Sequence, residues 1–414
     1  MSDLTRRVRM KSRVLWISLV GVILLTLAAM VTLASAAEKK PITFVVLTDL
    51  TGPAHAQVGP EGWATEDYFT WLNKNGGIDG HPVAVQVIDT KYQLPLIRSA
   101  YSRVKDMKQV CVSFDAISGG IEALRTQFAQ DKIPVSMYTG HAQALYPVSW
   151  VMGTMPPYDD VLATMADWIM KNWKENRKPR LALFLGNYAA GRAPELAKWY
   201  CEKKGVEIVA EELCPLMPTD TSDLLIRIRD TKPDFIFDTL MPDQLKVVLR
   251  DKHKLGIKTP QVGFVFNCHI LTKTVPPEAY DGYMGFQAFA AEWEKDVPGI
   301  KFCYELFKKR GEVPPGSYII GVCGGMVMAE AVKNALKKVG YDGLNGEAIR
   351  DGYMQIKNFT AQGIYKEISY SPEDVRGCKW LKIAVVHKDG TFSNVTEYME
   401  APWNLKLKTE AGVK

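Results

Sequence analysis

Three aspartates, Asp49, Asp115 and Asp238, stand where short apolar runs end, and they are the first candidates for acid–base chemistry in this chain. Each is more simply interpreted as a solvated or helix-capping carboxylate. The sequence contains no nucleophile elbow, phosphate loop, HExxH zinc pair or dinucleotide-binding glycine fingerprint. The six histidines are scattered, and His253 and His269 are most simply surface residues. We therefore expect no enzyme activity, no catalytic residue, no metal site and no cofactor.

The seven cysteines are spaced without a C-x-x-C pair, which argues against a zinc or redox site. An odd number cannot pair completely, and we expect at most one disulfide. Cys201 and Cys214 could meet where a helix turns back into a strand. Burial as small hydrophobic residues is an equally simple interpretation of both.

The elements that would position a site are predicted best by Ile42–Asp89. Ile42–Leu47 is apolar and β-branched, as in a buried strand, and Val83–Ile88 is a second such run. Between them we expect a helix that begins at Pro60, since a first helical residue needs no N–H, and ends at Gly76-Gly77. A strand–helix–strand unit implies a parallel sheet covered on both faces. Open α/β sheets bind ligands in the loops that follow their strands.

The same rhythm continues along the chain, and 414 residues are too many for one typical core. We expect an α/β fold of two Rossmann-like lobes, with parallel central sheets and a three-strand hinge that lets the lobes close on a ligand. The predicted crossings are Val151–Pro157, Gly282–Phe289 and a segment near Phe359–Tyr370. The predicted lobes are residues 37–155 with 290–358, and residues 156–289 with 359–414. Ser317–Val339 is almost entirely small or apolar and predicts a tightly packed core helix.

The N-terminus indicates the compartment. Five basic residues precede the apolar run Val14–Leu33, and Ala34-Ser35-Ala36 is a small-x-small cleavage site, so residues 1–36 read as a signal peptide for export to the periplasm. The alternative is an uncleaved membrane anchor, since the run is nearly long enough to span a bilayer. Removal of the peptide lowers the formal charge from +5 to about +1, which gives no reason to expect nucleic acid as a partner.

Two motifs carry a family resemblance. VVLTDLTGPAHAQVG, followed by LNKNGGIDGHPVAVQVID, resembles the start of the periplasmic solute-binding proteins of the branched-chain amino acid class, which are leucine-binding protein-like receptors of ABC importers. The resemblance extends in element order over the mature chain. It implies a type I periplasmic binding protein fold, a monomer, a small-molecule solute and ABC permease subunits as partners.

The resemblance also implies where the solute binds. In the family, the loop after the third strand offers a Ser hydroxyl to a ligand carboxylate, which here corresponds to Ser118, with backbone N–H groups at Gly119. The equivalents in the first and fourth loops of the first lobe are His55, Gln57, Tyr138, Thr139 and His141. Tyr138 and His141 depart from the family's small residues. In the second lobe the corresponding residues are Tyr188, Thr239, Met241, Phe264 and Asn267.

One departure bears on the solute. The family's acidic residue for a ligand ammonium falls near Val265, where this chain has no carboxylate, and a buried ammonium without one would be costly. We therefore expect a small organic solute with a carboxylate or amide end and an apolar or aromatic body. The alternatives are a leucine, isoleucine or valine binder, a membrane-anchored sensor of the same fold, and a secreted α/β enzyme.

Overall fold

The computed structural model describes residues 39–107, 110–114, 118–138, 140–264 and 268–413, and at 110–114, 264 and 268–270 it describes the backbone alone. The predicted signal peptide, Asp115, Thr139, Val265 and Asn267 therefore lie outside the described residues. The strands are β1 (Ile42–Thr48), β2 (Val83–Asp89), β3 (Val110–Phe114), β4 (Val135–Met137), β5 (Val151–Gly153), β6 (Arg180–Gly186), β7 (Glu207–Cys214), β8 (Phe235–Asp238), β9 (Gln261–Phe264), β10 (Met284–Gln287), β11 (Trp380–Val386), β12 (Phe392–Asn394) and β13 (Met399–Glu400).

The helices surround two separate sheets. They are α1 (His55–Lys74), α2 (Leu94–Val104), α3 (Ser118–Asp131), α4 (Ala142–Leu145), α5 (Tyr158–Asn172), α6 (Ala189–Arg192), α7 (Lys198–Lys204), α8 (Ser222–Asp230), α9 (Pro242–Lys254), α10 (Cys268–Thr274), α11 (Pro277–Tyr280), α12 (Pro298–Phe307), α13 (Gly316–Val339), α14 (Gly346–Met354) and α15 (Asn404–Glu410), with a 3₁₀ helix at Ala193–Ala197.

The first sheet has five strands in the order β2-β1-β3-β4-β5, and every neighbouring pair is parallel. Its inner strand β1 is almost entirely buried. The layer built on this sheet is called the first lobe. Because parallel strands share one carboxyl edge, the loops after β1, β2, β3 and β4 lie on the same side of this lobe.

The second sheet runs β12-β11-β10-β9-β8-β6-β7, and β13 also pairs with β11. Strands β6 to β10 are parallel, whereas β11 is antiparallel to β10 and to β12. The centre of this sheet is thus parallel as expected and its edge is antiparallel, where the short turn at Gly390, with φ of +80°, makes β11 and β12 a hairpin. The layer built on this sheet is the second lobe.

Three segments join the two sheets, at 154–157, 288–297 and 355–379. Hydrogen bonds hold them side by side: Gly153, the last residue of β5, donates its N–H to Val375 O at 2.8 Å and accepts from Tyr370 Oη at 2.7 Å, and Ala290 N donates to Ile364 O at 2.7 Å. The predicted architecture of two α/β layers and a three-strand hinge is confirmed. The exact bounds given for the lobes stay a prediction.

Helix α13 is long and apolar enough to span a membrane by composition, but it is mostly buried inside the protein. It lies so close to its neighbours that a Cβ on Gly321 would come within 2.2 Å of the Glu61 carbonyl oxygen. Glycine is therefore required for this close packing. The interpretation of Ser317–Val339 as a packed core helix fits these contacts.

Two local expectations change. Helix α1 begins at His55, so Pro60 lies inside it and is not its first residue. The cause is the Asp49 carboxylate, which accepts the Gly52 and Ala54 N–H groups and folds the loop tightly enough for the helix to start early. Cys201 and Cys214 do not meet: both are free and buried, in two different core clusters.

Candidate functional site

The loops after β1 and β2 are tied together by one carboxylate. Asp89 accepts hydrogen bonds from Leu50 N at 2.9 Å, from Thr51 Oγ1 at 2.6 Å and from Lys91 N at 3.0 Å. A side chain that receives donors from both loops holds them in a fixed relation. The position of the residue that follows Lys91 is fixed in consequence.

That residue is Tyr92, and its backbone is strained. Lys91 and Tyr92 have φ of +51° and +56°, a conformation that bulky residues rarely adopt and that is often kept at functional sites. The Tyr92 phenol oxygen is buried and forms no hydrogen bond with the described residues. Burial raises the pKa of Tyr92 to about 12; the nearby Ser118 hydroxyl acts against this shift, and the carboxylates of Glu122, Asp49 and Glu61 add to it.

Helix α3 supplies the second group of side chains. Ser118 is fully buried, and its hydroxyl lies beside the Tyr92 phenol without closing a hydrogen bond to it. Glu122 is four residues later, on the same face of the helix, and its Oε1 atom is also buried without a partner among the described residues. Burial raises the pKa of Glu122.

Helix α1 contributes the third group. Gln57 is 7% exposed, and its Nε2 donates to Glu61 Oε1 at 3.4 Å. Its Oε1 has no partner within the described ranges. Glu61 is completely buried one turn further along the same helix. Buried polar atoms without partners are rare in folded proteins, and four such atoms in the described part of the chain, on Gln57, Tyr92, Ser118 and Glu122, belong to this one region.

The second lobe approaches this region from the other side. A Cβ on Gly119 would lie 3.7 Å from the Ala189 Cβ, so the lobes are in contact here. Burial raises the pKa of the Tyr188 phenol, and Tyr158 and Tyr92 add to this shift. Gln57, Glu61, Tyr92, Ser118 and Glu122 on one side, and Tyr158 and Tyr188 on the other, are named here the cleft cluster.

The Tyr188 hydroxyl is already used within the second lobe. It donates to Thr239 O at 2.6 Å, and its ring lies against Gly186 and Gly191. Thr239 Oγ1 accepts from Gly186 N at 3.0 Å and donates to Gly191 O at 2.7 Å. Both side chains hold the β6 loop in place, which leaves the Tyr188 ring as the part able to contact a ligand.

A cavity of about 700 Å³ opens between the lobes at the edge of the cleft. Pro53 and His55 line it from the first lobe, and Leu216, Met217 and Val247 line it from the second. His55 is exposed, and its ring Nδ1 is 2.8 Å from Gly52 O. The predicted site residues His55 and Gln57 therefore both lie in the first turn of α1 but face different regions. His55 faces the opening of the cleft, and Gln57 faces the interior.

Other predicted residues have different surroundings. The Tyr138 ring packs in the core against Gly324, and its hydroxyl is 3.0 Å from Thr65 Oγ1, so this side chain belongs to the interior of the first lobe rather than to the cleft cluster. His141 accepts the Gln143 N–H and caps α4, and burial lowers its pKa to about 4. Met241, half-buried, precedes α9, and its backbone N–H is capped by Gln244.

Phe264 ends β9, and nothing is described of its side chain; Thr139 and Asn267 lie outside the described residues. Sequence reasoning missed Tyr92, Glu61 and Glu122. Tyr92 could have been found, because it lies three residues after the end of β2, at the same sheet edge as the loops that were considered. Glu122 also carried a signal, one helical turn after Ser118. Within the described ranges, no group of three His, Cys, Asp or Glu side chains is suited to hold a metal ion.

A model of the family described as "Periplasmic binding protein" matches residues 41–391. The chain belongs to the periplasmic binding protein family. The match includes the whole first sheet, β6 to β11 of the second sheet and all three connecting segments. No curated protein sequence matches the chain.

Solved structures share the fold of this periplasmic binding protein. A branched chain amino acid ABC transporter protein from Thermus thermophilus with bound valine is 19% identical, with a TM-score of 0.80, and the match covers 90% of this chain and 99% of that one. A fatty acid ABC transporter substrate-binding protein from Thermomonospora curvata is 19% identical, with a TM-score of 0.75 and coverage of 88% and 94%. A solute binding protein from Rhodopseudomonas palustris BisB5 in complex with 3,4-dihydroxy benzoic acid is 20% identical, with a TM-score of 0.70 and coverage of 87% and 98%.

Proposed function

We propose that this periplasmic binding protein is the solute receptor of an ABC importer, which captures a small organic molecule in the cleft cluster and delivers it unchanged to permease subunits. The observation that carries the proposal is the set of buried polar atoms on Gln57, Tyr92 and Ser118 that have no partner among the residues the structure describes. Leaving such atoms unsatisfied costs about 1–3 kcal/mol each, and a bound solute would remove that cost. Strained Tyr92 has a function in this arrangement, since its hydroxyl reaches the solute.

Capture would take place by closure of the hinge. The three connecting segments lie side by side and are held by backbone hydrogen bonds, and we propose that the lobes rotate about them as rigid bodies. Gly119 and Ala189 are in contact across the cleft, as a closed form requires. Closure shields the solute from water and gives the permease a surface that differs from the open form.

The solute itself is proposed to have a carboxylate or amide end and an apolar or aromatic body. The Tyr158 and Tyr188 rings and the apolar opening at Pro53 and Leu216 favour such a body. Structures with this fold include one with bound valine, one named as a fatty acid ABC transporter substrate-binding protein and one in complex with 3,4-dihydroxy benzoic acid. The fold is therefore compatible with solutes of different chemical classes. Leucine, isoleucine or valine is the second candidate.

We propose that the protein is exported to the periplasm by residues 1–36 and acts there as a monomer. Mass measurement of the protein isolated from its own cells tests the cleavage, with an expected mature start at Ala37. An intact N-terminus in the membrane fraction would favour the anchored sensor instead.

Native mass spectrometry of the same preparation tests the receptor function. We expect a small molecule bound in a one-to-one ratio, whose mass is unchanged after prolonged incubation with the protein, and a smaller radius of gyration with solute than without it. Conversion of the solute would favour an enzyme. Absence of any retained or titratable solute would refute the proposal.

A further inference from the structure

The cavity between the lobes borders the cleft cluster, and contacts in the first lobe fix this arrangement. Thr51 lines the cavity, and the Asp89 carboxylate accepts hydrogen bonds from the Thr51 hydroxyl at 2.6 Å and from the Lys91 N–H at 3.0 Å. Lys91 directly precedes Tyr92 of the cleft cluster. A Cβ on Gly52, another residue of the lining, would lie 2.6 Å from Lys91 O. This wall of the cavity and the segment that carries Tyr92 are therefore in contact.

The second lobe joins the cavity to the cleft cluster in a similar way. The Asn187 N–H, next to Tyr188 of the cleft cluster, donates to Cys214 O at 2.8 Å. Leu216, two residues after Cys214, lines the cavity. Gln244 Nε2 donates to the same oxygen at 2.9 Å and holds the start of α9, which also contributes to the lining, against this loop. A solute held in the cleft cluster is thus bordered by the cavity in both lobes.

The cavity suits an apolar group. Apolar side chains from both lobes form much of its wall: Pro53, Leu216, Met217, Pro218 and Val247. Asp243 and Lys246 in the lining form an ion pair with each other at 2.5 Å, so they offer a solute no unpaired charge. The volume of about 700 Å³ lies within the range of sites that hold drug-sized molecules. A side chain as short as that of valine or leucine would leave most of this space to water.

We propose, on the basis of the receptor function above, that the solute is elongated: its polar end lies in the cleft cluster, and an apolar tail continues between the lobes into the cavity. The tail contacts both lobes, so it stabilises the closed form as well as the complex. The solute class is thereby narrowed to compounds whose tail is longer than a valine or leucine side chain. Met217 and Val247 are assigned as residues that determine specificity for the tail.

Two homologous series of probes test the inference. Protein stripped of retained solute is titrated calorimetrically with butyrate, hexanoate, octanoate and decanoate, below the concentrations at which they form micelles, and with the four corresponding primary amides. Each added CH₂ group moves from water into an apolar environment, so we expect affinity in the series that binds to rise about three- to fourfold per CH₂ group until the cavity is filled. The compound released from protein of its own cells, identified by mass spectrometry, should carry such a tail.

The double variant Met217→Gln, Val247→Asn makes the wall polar without adding charge. We expect it to lower the affinity for the ten-carbon probe about tenfold and to leave that of the shortest probe that binds nearly unchanged, because a short chain ends before the cavity. Met217 is 79% exposed, so its replacement disturbs little packing. The matched control is Met170→Gln, at a 38% exposed position on α5 outside the lining, which leaves both affinities unchanged. Thermal unfolding verifies that all variants are folded.

Three results would overturn the inference and leave the receptor function standing. One is an affinity that does not rise with chain length beyond six carbons. Another is a double variant that changes the affinities for short and long probes equally, or changes neither. The third is a retained compound whose tail is no longer than a leucine side chain. If no compound is retained and no probe binds, the receptor function is refuted and the inference with it.

Discussion

Arg376 is the buried cation of the hinge, and its replacement gives the sharpest test of how the lobes are held together. Its guanidinium donates to Asp160 Oδ2 at 2.8 Å, to Asp374 Oδ2 at 2.9 Å and to Ala401 O at 3.2 Å. It also lies 4.8 Å from the centre of the Trp403 ring. These contacts join the third connecting segment to the start of α5 and to the chain before α15.

Arg376→Met keeps the apolar stem and removes the charge. Where the pH is high enough to ionise Asp160, which is completely buried, the variant leaves its charge without a cation, and removal of one partner from a buried ion pair typically costs about 3–5 kcal/mol. Because proteins are stable by only about 5–15 kcal/mol, we expect a large fall in the free energy of unfolding. Urea unfolding followed by circular dichroism measures it.

The same variant makes a prediction about pH. Burial raises the pKa of both Asp160 and Asp159, the Asp159 charge adds to the shift of Asp160, and the Arg376 charge opposes both shifts. A carboxyl group with a folded pKa above its unfolded value, about 3.9, weakens the folded state as pH rises between the two values. Without the guanidinium both folded pKa values rise further, so the loss of stability is expected to be larger near pH 8 than near pH 5.

The control is Arg229→Met, at an ion pair with Asp230 whose side chains are 47% and 63% exposed. Exposed pairs contribute little, so this variant should change stability far less and show no comparable dependence on pH. A loss at Arg376→Met no larger than that of the control, or one that grows as pH falls, would refute the reasoning.

Three further variants separate packing from binding. Gly324→Ala would place a Cβ 2.0 Å from the Tyr138 ring and should cost about 1–3 kcal/mol in urea unfolding, whereas Gly119→Ala, with its nearest atom at 3.7 Å, should cost little. Ser118→Ala removes a hydroxyl without a partner and should weaken solute binding in calorimetry without lowering the melting temperature; a destabilised variant with normal affinity would contradict this. Tyr92→Phe should also weaken solute binding without lowering the melting temperature. Tyr188→Phe loses the hydrogen bond to Thr239, so it should lower the free energy of unfolding by about 0.5–1.5 kcal/mol and leave the solute affinity nearly unchanged.

The sequence predicted those parts of the fold that depend on local pattern. Periodicity and glycine placement located β1, the end of α1 and β2, and the composition of α13 indicated its burial. The start of α1 was beyond such reasoning, because it depends on the Asp49 carboxylate and its hydrogen bonds within the loop. The antiparallel pairing of β12 with β11 was also beyond such reasoning, because the partner of a strand depends on the three-dimensional arrangement and not on local pattern.

The candidate site was predicted less completely than the fold. Position after a strand brought Ser118 and Gln57 into the candidate site, where they stay a prediction, but it gave no direction for a side chain. Tyr138 turns into the core because Gly324, distant in sequence, leaves room for its ring. Tyr92 depends on a left-handed backbone that no residue type at its position signals. The sequence thus predicts which loops form the site more reliably than which atoms face it.

The contact between Gly119 and Ala189 also indicates where a disulfide could join the two lobes. Their Cβ atoms would stand 3.7 Å apart, within the spacing of about 3.5–4.5 Å found in disulfides. Cysteines at both positions would thus be placed for a covalent bridge in the closed conformation, and only there, because separation of the lobes pulls the two backbones apart. Under the proposed receptor function, oxidation would hold the lobes closed on the bound solute, and reduction would allow them to open and release it.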